Sequence, residues 1–154
     1  MPADSFQGKS TLVTELVHQG ATYYSDDFAL IDENAMVHPF ARPISMRTSA
    51  SGTFVPYEIS LAELGQSDTP EPIPVGLFLL TQYRAGSRWA PALLSQGKGS
   101  LAIMPFALAV SRRPAFVMDV LHVATSAAPV VKTSRGESAP FARKLIEFFD
   151  KMIK

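Results

Sequence analysis

The sequence predicts a mixed α/β fold, in which short strands alternate with amphipathic helices. Apolar residues at helical spacing follow a glycine-lysine-serine loop near the N-terminus. A near-continuous apolar run at residues 75–83 is typical of a strand that is covered on both faces. An amphipathic segment at residues 138–154 ends the chain and is typical of a helix packed on a sheet.

The composition of the chain limits the classes of function. It has 154 residues, with 14 basic and 14 acidic side chains and no cysteine. This length fits one domain over residues 1–154 with a sizeable core. The zero net charge argues against broad electrostatic binding of nucleic acid, and the lack of cysteine excludes disulfides and thiolate metal sites. No apolar run approaches the ~20 residues that cross a bilayer, so we expect a cytoplasmic protein without membrane contacts.

The order of elements follows from hydrophobic periodicity and from turn residues. Leu12 and Leu16 lie on one face of the first predicted helix, and Gly20 is a suitable residue to end it. In chain order we expect a helix at 10–19, strands at 21–24, 28–32 and from 36, a short strand at 54–59 within a loop at 48–74, a strand at 75–83, helices at 99–110 and 114–126, a strand at 130–133 and a helix at 138–154.

A phosphate-binding loop is the first candidate site. The P-loop pattern is G-x-x-x-x-G-K-[ST], and its second half is present as Gly8-Lys9-Ser10-Thr11, with Ala3 at the first glycine position. Gly8 lets the backbone approach phosphate oxygens, and the N–H groups of the following helix attract anions. Lys9 can reach the β- and γ-phosphates, and the Ser10 hydroxyl can ligate Mg²⁺. The residues predicted to bind the nucleotide are Ser5, Gln7, Gly8, Lys9, Ser10 and Thr11.

Two features qualify this hypothesis. A Gly-Lys-Ser-Thr tetrapeptide also begins ordinary helices, so the alternative is a helix start without a ligand. A P-loop normally follows a buried strand, whereas this sequence begins within the loop. We therefore expect that the first strand is missing or that the chain is truncated at its N-terminus.

A pair of adjacent aspartates, Asp26 and Asp27, is the second candidate site. Adjacent strand residues point to opposite faces, so both carboxylates serve one ligand only if the backbone turns there. In that case one can accept a proton from an attacking hydroxyl while the other holds Mg²⁺ or its waters. A solvated turn or a helix cap is the alternative, but the position after a P-loop and a helix favours a catalytic pair.

Residues 3–47 resemble the HPr kinase/phosphorylase family and its short serine-kinase relatives, a P-loop branch that shares its fold with phosphoenolpyruvate carboxykinase. The matching segments are Asp-Ser-x-x-Gly-Lys-Ser, Leu-Val-x-x-Leu-Val, Tyr-Ser-Asp-Asp-Phe-Ala-Leu-Ile-Asp and His-Pro-x-x-Arg-Pro. The resemblance implies the mixed sheet with flanking helices of that branch, in a short form without the N-terminal domain of HPr kinases. Their Glu-x-Arg-Gly-x-Gly signature is not evident, which leaves HPr itself a doubtful substrate.

The resemblance also implies an ATP-dependent kinase that transfers the γ-phosphoryl group, with Mg²⁺, to a serine of a protein or peptide. Lys9 and Ser10 would take the phosphate and magnesium roles. Asp26 would be the catalytic base and Asp27 the metal or water partner, or the two aspartates exchange these roles.

Arg42 and Arg47 are candidates for contact with the transferring phosphoryl group, because a guanidinium fork matches two oxygens. The alternative for each is a surface arginine. The apolar stripe of the last helix belongs either to the core or to a contact between subunits of a homo-oligomer. Two further functions stay open: a degenerate kinase that binds nucleotide as a regulator, and an interaction module in which the loop is a remnant.

Overall fold

The computed structural model describes residues 8–50, 53–60, 62–65 and 70–152, without the side chains of residues 47–50 and 53–56. Within these ranges the chain is mixed α/β, which confirms the predicted class. The helices are α1 (Lys9–His18), α2 (Gln96–Ile103), α3 (Pro114–Ala127) and α4 (Ser138–Met152). The strands are β1 (Leu30–Ile31), β2 (Met36–His38), β3 (Ile44–Ala50), β4 (Thr53–Ile59), β5 (Ile73–Pro74), β6 (Phe78–Tyr83), β7 (Ala92–Leu94) and β8 (Val130–Arg135).

A three-stranded mixed sheet, in the order β6-β8-β7, lies between two layers of helices. β6 and β8 are parallel, and β7 is antiparallel to β8. Phe78 and Leu80 of β6 point into one apolar cluster, while Leu79 between them points into the other. Because both faces of the strand are covered, its sequence is apolar at consecutive positions rather than at alternate ones.

The two clusters attach different helices to this sheet. The first contains residues from α2 and α3: Ile103, Val117, Leu121 and Ala124. The second contains residues from α1 and α4: Leu12, Phe141, Ala142 and Leu145. Leu12 is fully buried, and full burial of such a side chain contributes about 1.5–3 kcal/mol. Burial of this leucine therefore holds the start of α1 against the sheet.

Two smaller sheets lie outside this sandwich. β1, β2 and β5 form an antiparallel sheet, and β3 and β4 form a hairpin in register from Ile44–Ile59 to Ala50–Thr53. Asp32 stabilises the turn between β1 and β2, because its Oδ1 accepts hydrogen bonds from the backbone of Asn34 and Met36. Its Oδ2 lies 2.8 Å from His38 Nε2, and this hydrogen bond lowers the pKa of the carboxyl group.

The structure corrects four of the predicted elements. Residues 21–24 are extended but form no strand, and the strand expected at 75–83 is shortened to β6, with residues 75–77 outside any strand. A Cβ at Gly76 would lie 2.8 Å from the Phe149 ring, so the chain approaches α4 closely just before β6 begins. Residues 48–74 contain most of the β3–β4 hairpin, and β7 was not predicted.

The fourth correction concerns the helix expected at residues 99–110. It begins earlier, at Gln96, and ends at Ile103, where a 3₁₀ turn (Met104–Phe106) follows. Pro105 has no N–H to donate, and its ring excludes the α-helical hydrogen-bond pattern. Among the described residues, no helix has both the length and the apolarity to cross a membrane.

Gly99→Ala is expected to destabilise the fold by about 1–3 kcal/mol, because the added methyl group overpacks the core. A Cβ at Gly99 would lie 2.5 Å from Val130 Cγ2 and 2.9 Å from its Cβ, and that valine is buried. Gly97→Ala on the same helix is the matched control, since a Cβ there meets no heavy atom of the described residues within 4 Å. We expect the control to be neutral or to stabilise by up to about 1 kcal/mol. Urea unfolding of both variants measures the difference, and equal midpoints would contradict the packing argument.

Candidate functional site

The N-terminus of α1 has the features of an anion-binding helix end. Gly8 precedes the helix with φ 67° and ψ 33°, a left-handed conformation that glycine adopts without strain. Gly8 offers no side chain to cap the first N–H groups, and no acidic residue lies in the first turn. The positive potential at the start of α1 is therefore not offset by a carboxylate in the first turn of the helix. Lys9 and Ser10 follow directly and are half-buried, while Thr11 is exposed.

The Ser10 hydroxyl donates a hydrogen bond of 2.9 Å to Asp26 Oδ2. This contact joins the first turn of α1 to a carboxylate 16 residues later. The chain bends at Asp26 and Asp27, and the backbone N–H of Phe28 donates to Ser25 Oγ across the bend. A serine hydroxyl and a carboxylate are hard oxygen ligands, of the type that Mg²⁺ prefers when it keeps most of its waters. Asp27 does not share this position and is exposed.

Tyr23 is the buried residue that contacts Asp26. Only 3% of its surface is exposed, and its hydroxyl lies 3.2 Å from Asp26 Oδ1 and 2.9 Å from the carbonyl oxygen of Arg42. Both neighbours are acceptors, so the phenol O–H is the donor in these two contacts. Burial, together with the negative charge of Asp26, raises the pKa of Tyr23 to about 12. The phenol therefore stays protonated and orients one oxygen of the carboxylate.

Tyr23→Phe is expected to destabilise the protein by about 1 kcal/mol at neutral pH, because a buried hydroxyl and its acceptors lose their hydrogen bonds. In the wild type, the unfolded chain releases the phenol proton near pH 10, while the folded chain keeps it until about pH 12. The contribution of this residue is thus complete below pH 10 and is lost as pH rises towards 12. Urea unfolding across this window should show a shallower loss of stability in Tyr23→Phe. Tyr57→Phe, at an exposed position of β4, is the control, and equal slopes for Tyr23→Phe and wild type would refute the assignment.

A cleft of about 280 Å³ lies beside these residues. Lys9 and Asp26 line it together, so the ammonium-bearing side chain and the carboxylate face one depression in the surface. Its other walls come from apolar residues of α1, β6 and α4, from Leu77 and from residues 21–25. The arrangement can thus bring a cationic group and a carboxylate to the same concave region, with the Ser10 hydroxyl bonded to that carboxylate.

The structure connects the other predicted site residues less closely with Ser10, Asp26 and Tyr23. Ser5 and Gln7 lie outside the described residues, as does Ala3. Arg42 is exposed, and its carbonyl oxygen accepts a hydrogen bond from the Tyr23 hydroxyl. Arg47 belongs to β3, but its side chain is outside the described part of the chain. No cluster of three or more His, Asp or Glu side chains that could hold a metal ion is found among the described residues.

Arg135, which ends β8, was not among the residues predicted for the site. It is 3% exposed, and its Nη2 donates a hydrogen bond of 2.8 Å to the carbonyl oxygen of Gly8. No local pattern could have revealed a contact between residues 127 positions apart. Tyr23 was also missed, although a tyrosine three residues before an aspartate was a visible signal.

Comparisons of the chain with protein-family models, with curated proteins and with solved structures returned no match.

Proposed function

We propose that this chain is a P-loop protein that binds Mg·ATP and acts as a serine kinase similar to the HPr kinases. The observation that carries the proposal is the 2.9 Å hydrogen bond from Ser10 to Asp26. It joins the residue expected to ligate magnesium to a carboxylate of the predicted acidic pair. An ordinary helix start with a Gly-Lys-Ser sequence does not require such a partner.

The binding of triphosphate is supported by three physical features of the same helix end. The backbone N–H groups of the first turn provide positive potential, and Lys9 adds a full charge beside the cleft. Gly8 adopts the left-handed conformation that brings the backbone into the start of the helix. Mg²⁺ held between phosphates and a few protein oxygens needs no larger cluster of carboxylates, so Ser10 and Asp26 suffice as its protein partners.

For the two aspartates we favour the exchanged roles. Asp26 accepts from Ser10 on one oxygen and lies beside Tyr23 on the other, which suits a partner of the metal or of its waters. Asp27 is exposed at the bend, where the hydroxyl of an incoming serine can reach it. In the proposed reaction the serine oxygen bonds to the γ-phosphorus and its proton passes to Asp27. The bond to the bridging oxygen breaks, and ADP leaves.

A nucleotide-binding regulator without transferase activity is the second candidate. The observation that favours it is that Asp27 does not share the position of Asp26 beside Ser10, and that the link of Arg42 to Tyr23 is its carbonyl oxygen. Lys9 and Ser10, in contrast, are half-buried, and Ser10 is held by hydrogen bonds with Asp26 and Thr14. Binding with no transfer to any serine substrate would identify this function.

A thermal unfolding experiment tests the binding proposal. A ligand that binds the folded state alone stabilises it by about 2.7 kcal/mol at a concentration of 100 Kd. For a chain of this length that corresponds to a rise in Tm of roughly 5–10 °C. ATP with Mg²⁺ should give this rise, whereas AMP with Mg²⁺ and ATP with a chelator should give much less. An unchanged Tm at millimolar Mg·ATP would exclude the proposed function.

A further inference from the structure

The guanidinium of Arg135 lies buried between the N-termini of two helices. Besides the bond to Gly8 before α1, its Nη1 donates to Ser138 Oγ, 3.1 Å away at the first residue of α4. The same nitrogen lies 3.4 Å from the carbonyl oxygen of Gly136. One side chain thus connects the end of β8 to the beginnings of α1 and α4.

Stability alone is a weak explanation for this arrangement, because burying a charge is costly. Burial lowers the pKa of the Arg135 guanidinium. The hydrogen-bond acceptors named above are neutral oxygens, while Tyr83 and the Glu137 carboxylate act electrostatically in favour of the charged form, and the Tyr83 ring lies 5.5 Å from the guanidinium carbon. The feature that needs an account is the hydrogen bond that this guanidinium donates to Gly8.

That account comes from the peptide unit between Gly8 and Lys9. The carbonyl oxygen of Gly8 and the N–H of Lys9 belong to one rigid plane, so fixing the oxygen fixes the direction of the N–H. The oxygen also accepts from the backbone N–H of Leu12 at 3.1 Å, as the helix requires. Arg135 supplies a second donor to that oxygen and thereby limits rotation of the plane.

Gly8 also makes this contact sterically possible. A Cβ at Gly8 would lie 2.6 Å from Arg135 Nη2, closer than a side chain permits without displacement of the guanidinium. The left-handed φ of 67° independently favours glycine at this position. The glycine of the predicted loop is therefore matched both to the helix start and to the arginine that holds it.

We infer that Arg135 is a positioning residue for the phosphate-binding loop. It does not touch the nucleotide; it orients the Gly8–Lys9 peptide so that the N–H groups of α1 and the Lys9 side chain meet the phosphates without prior reordering. The inference rests on the proposed function, since it concerns the affinity of the same site for Mg·ATP.

The test compares Arg135→Met, Arg135→Lys and Ser138→Ala with wild type and with Arg143→Met, an exposed position on α4. Isothermal titration calorimetry gives Kd for Mg·ATP, and amide hydrogen exchange without nucleotide follows the N–H of Leu12.

Arg135→Met should raise Kd about tenfold and accelerate exchange at Leu12, since a charged hydrogen bond is lost. Arg135→Lys should recover part of the affinity, because an ammonium can still reach one carbonyl oxygen. Arg143→Met should match wild type.

The outcomes separate this inference from the proposed function. Wild-type Kd and wild-type exchange at Leu12 in folded Arg135→Met would overturn the inference while leaving nucleotide binding intact. If wild type itself does not bind Mg·ATP, the proposed function fails, and the exchange rate at Leu12 alone decides whether Arg135 holds the loop.

If Arg135→Met does not fold, Ser138→Ala serves in its place. It removes one acceptor of the guanidinium and should raise Kd for Mg·ATP about threefold, whereas an unchanged Kd would contradict the positioning role of Arg135.

Discussion

Asp26→Asn is expected to reduce phosphoryl transfer from ATP to a serine acceptor by about a hundredfold or more. The substitution keeps the shape of the side chain but removes the negative charge beside Ser10. An amide oxygen is a weaker magnesium partner than a carboxylate, and an amide nitrogen facing the Ser10 hydroxyl competes with the metal. Initial rates with radiolabelled ATP and a serine-containing peptide measure the loss.

Comparison with Asp27→Asn tells the two assignments of the acidic pair apart. If Asp26 is the magnesium partner, Asp26→Asn should raise the Mg²⁺ concentration needed for half-maximal rate. Asp27→Asn should then lower kcat by about 10²–10⁴-fold at saturating Mg²⁺, as expected for loss of a general base. The opposite pattern would restore the base role to Asp26. Rates equal to wild type in both variants would eliminate the acidic pair from the mechanism.

Lys9→Ala is the second substitution with a large expected effect. Removal of a charged hydrogen-bond donor from the triphosphate should weaken binding by about 1.5–3 kcal/mol, which is roughly a ten- to hundredfold rise in Kd for Mg·ATP. AMP lacks the phosphates that this ammonium reaches, so its weaker binding should change little. Titration calorimetry with both nucleotides measures the difference.

Lys144→Ala provides the matched control for charge, because Lys144 is exposed on α4. It alters net charge by the same amount as Lys9→Ala, and its Kd should equal that of wild type. If both lysine variants bind Mg·ATP as wild type does, the Gly-Lys-Ser segment is an ordinary helix start. The binding of Mg·ATP, if observed, would then need another site.

The helices were the most predictable part of the fold, because their signals are local. α1 was expected at residues 10–19 and is found at Lys9–His18, and α4 begins at Ser138 as expected. In each case apolar residues at helical spacing agree with the face that the tertiary structure buries, such as Leu12 in α1 and Phe141 in α4. The local sequence preference and the tertiary packing therefore both favour a helix at these positions.

The strands were less predictable, because pairing partners decide them. β3 has few strand-forming residues and is a strand through its register with β4, including Ile44 opposite Ile59. Residues 21–24 have suitable apolar and aromatic side chains but no ladder partner among the described residues. Propensity for β-structure depends on such context more than propensity for helix does.

The candidate site likewise has residues that local sequence patterns predict and residues that only the fold brings together. The order of motif, helix and acidic pair predicted that the aspartates act with the loop, but it assigned Asp27 to the magnesium position of Ser10, whereas the structure joins Ser10 to Asp26. The buried phenol of Tyr23 required knowledge of burial, and the guanidinium of Arg135 required the topology of the whole chain. Sequence patterns therefore located the groups expected to contact a ligand, but not the groups that support them.

The 127-residue separation between Gly8 and Arg135 has a consequence for biosynthesis. The Gln19 side chain likewise donates to the carbonyl oxygen of Ala139, 120 residues later, so α1 packs against elements that are synthesised long after it. At about 5–20 residues per second, the apolar face of α1 waits roughly 6–25 s for those partners. Contacts of such high sequence separation also form slowly in refolding. The nascent chain therefore depends on protection from aggregation during this interval, and the first helix reaches its final surroundings only when α4 has emerged from the ribosome.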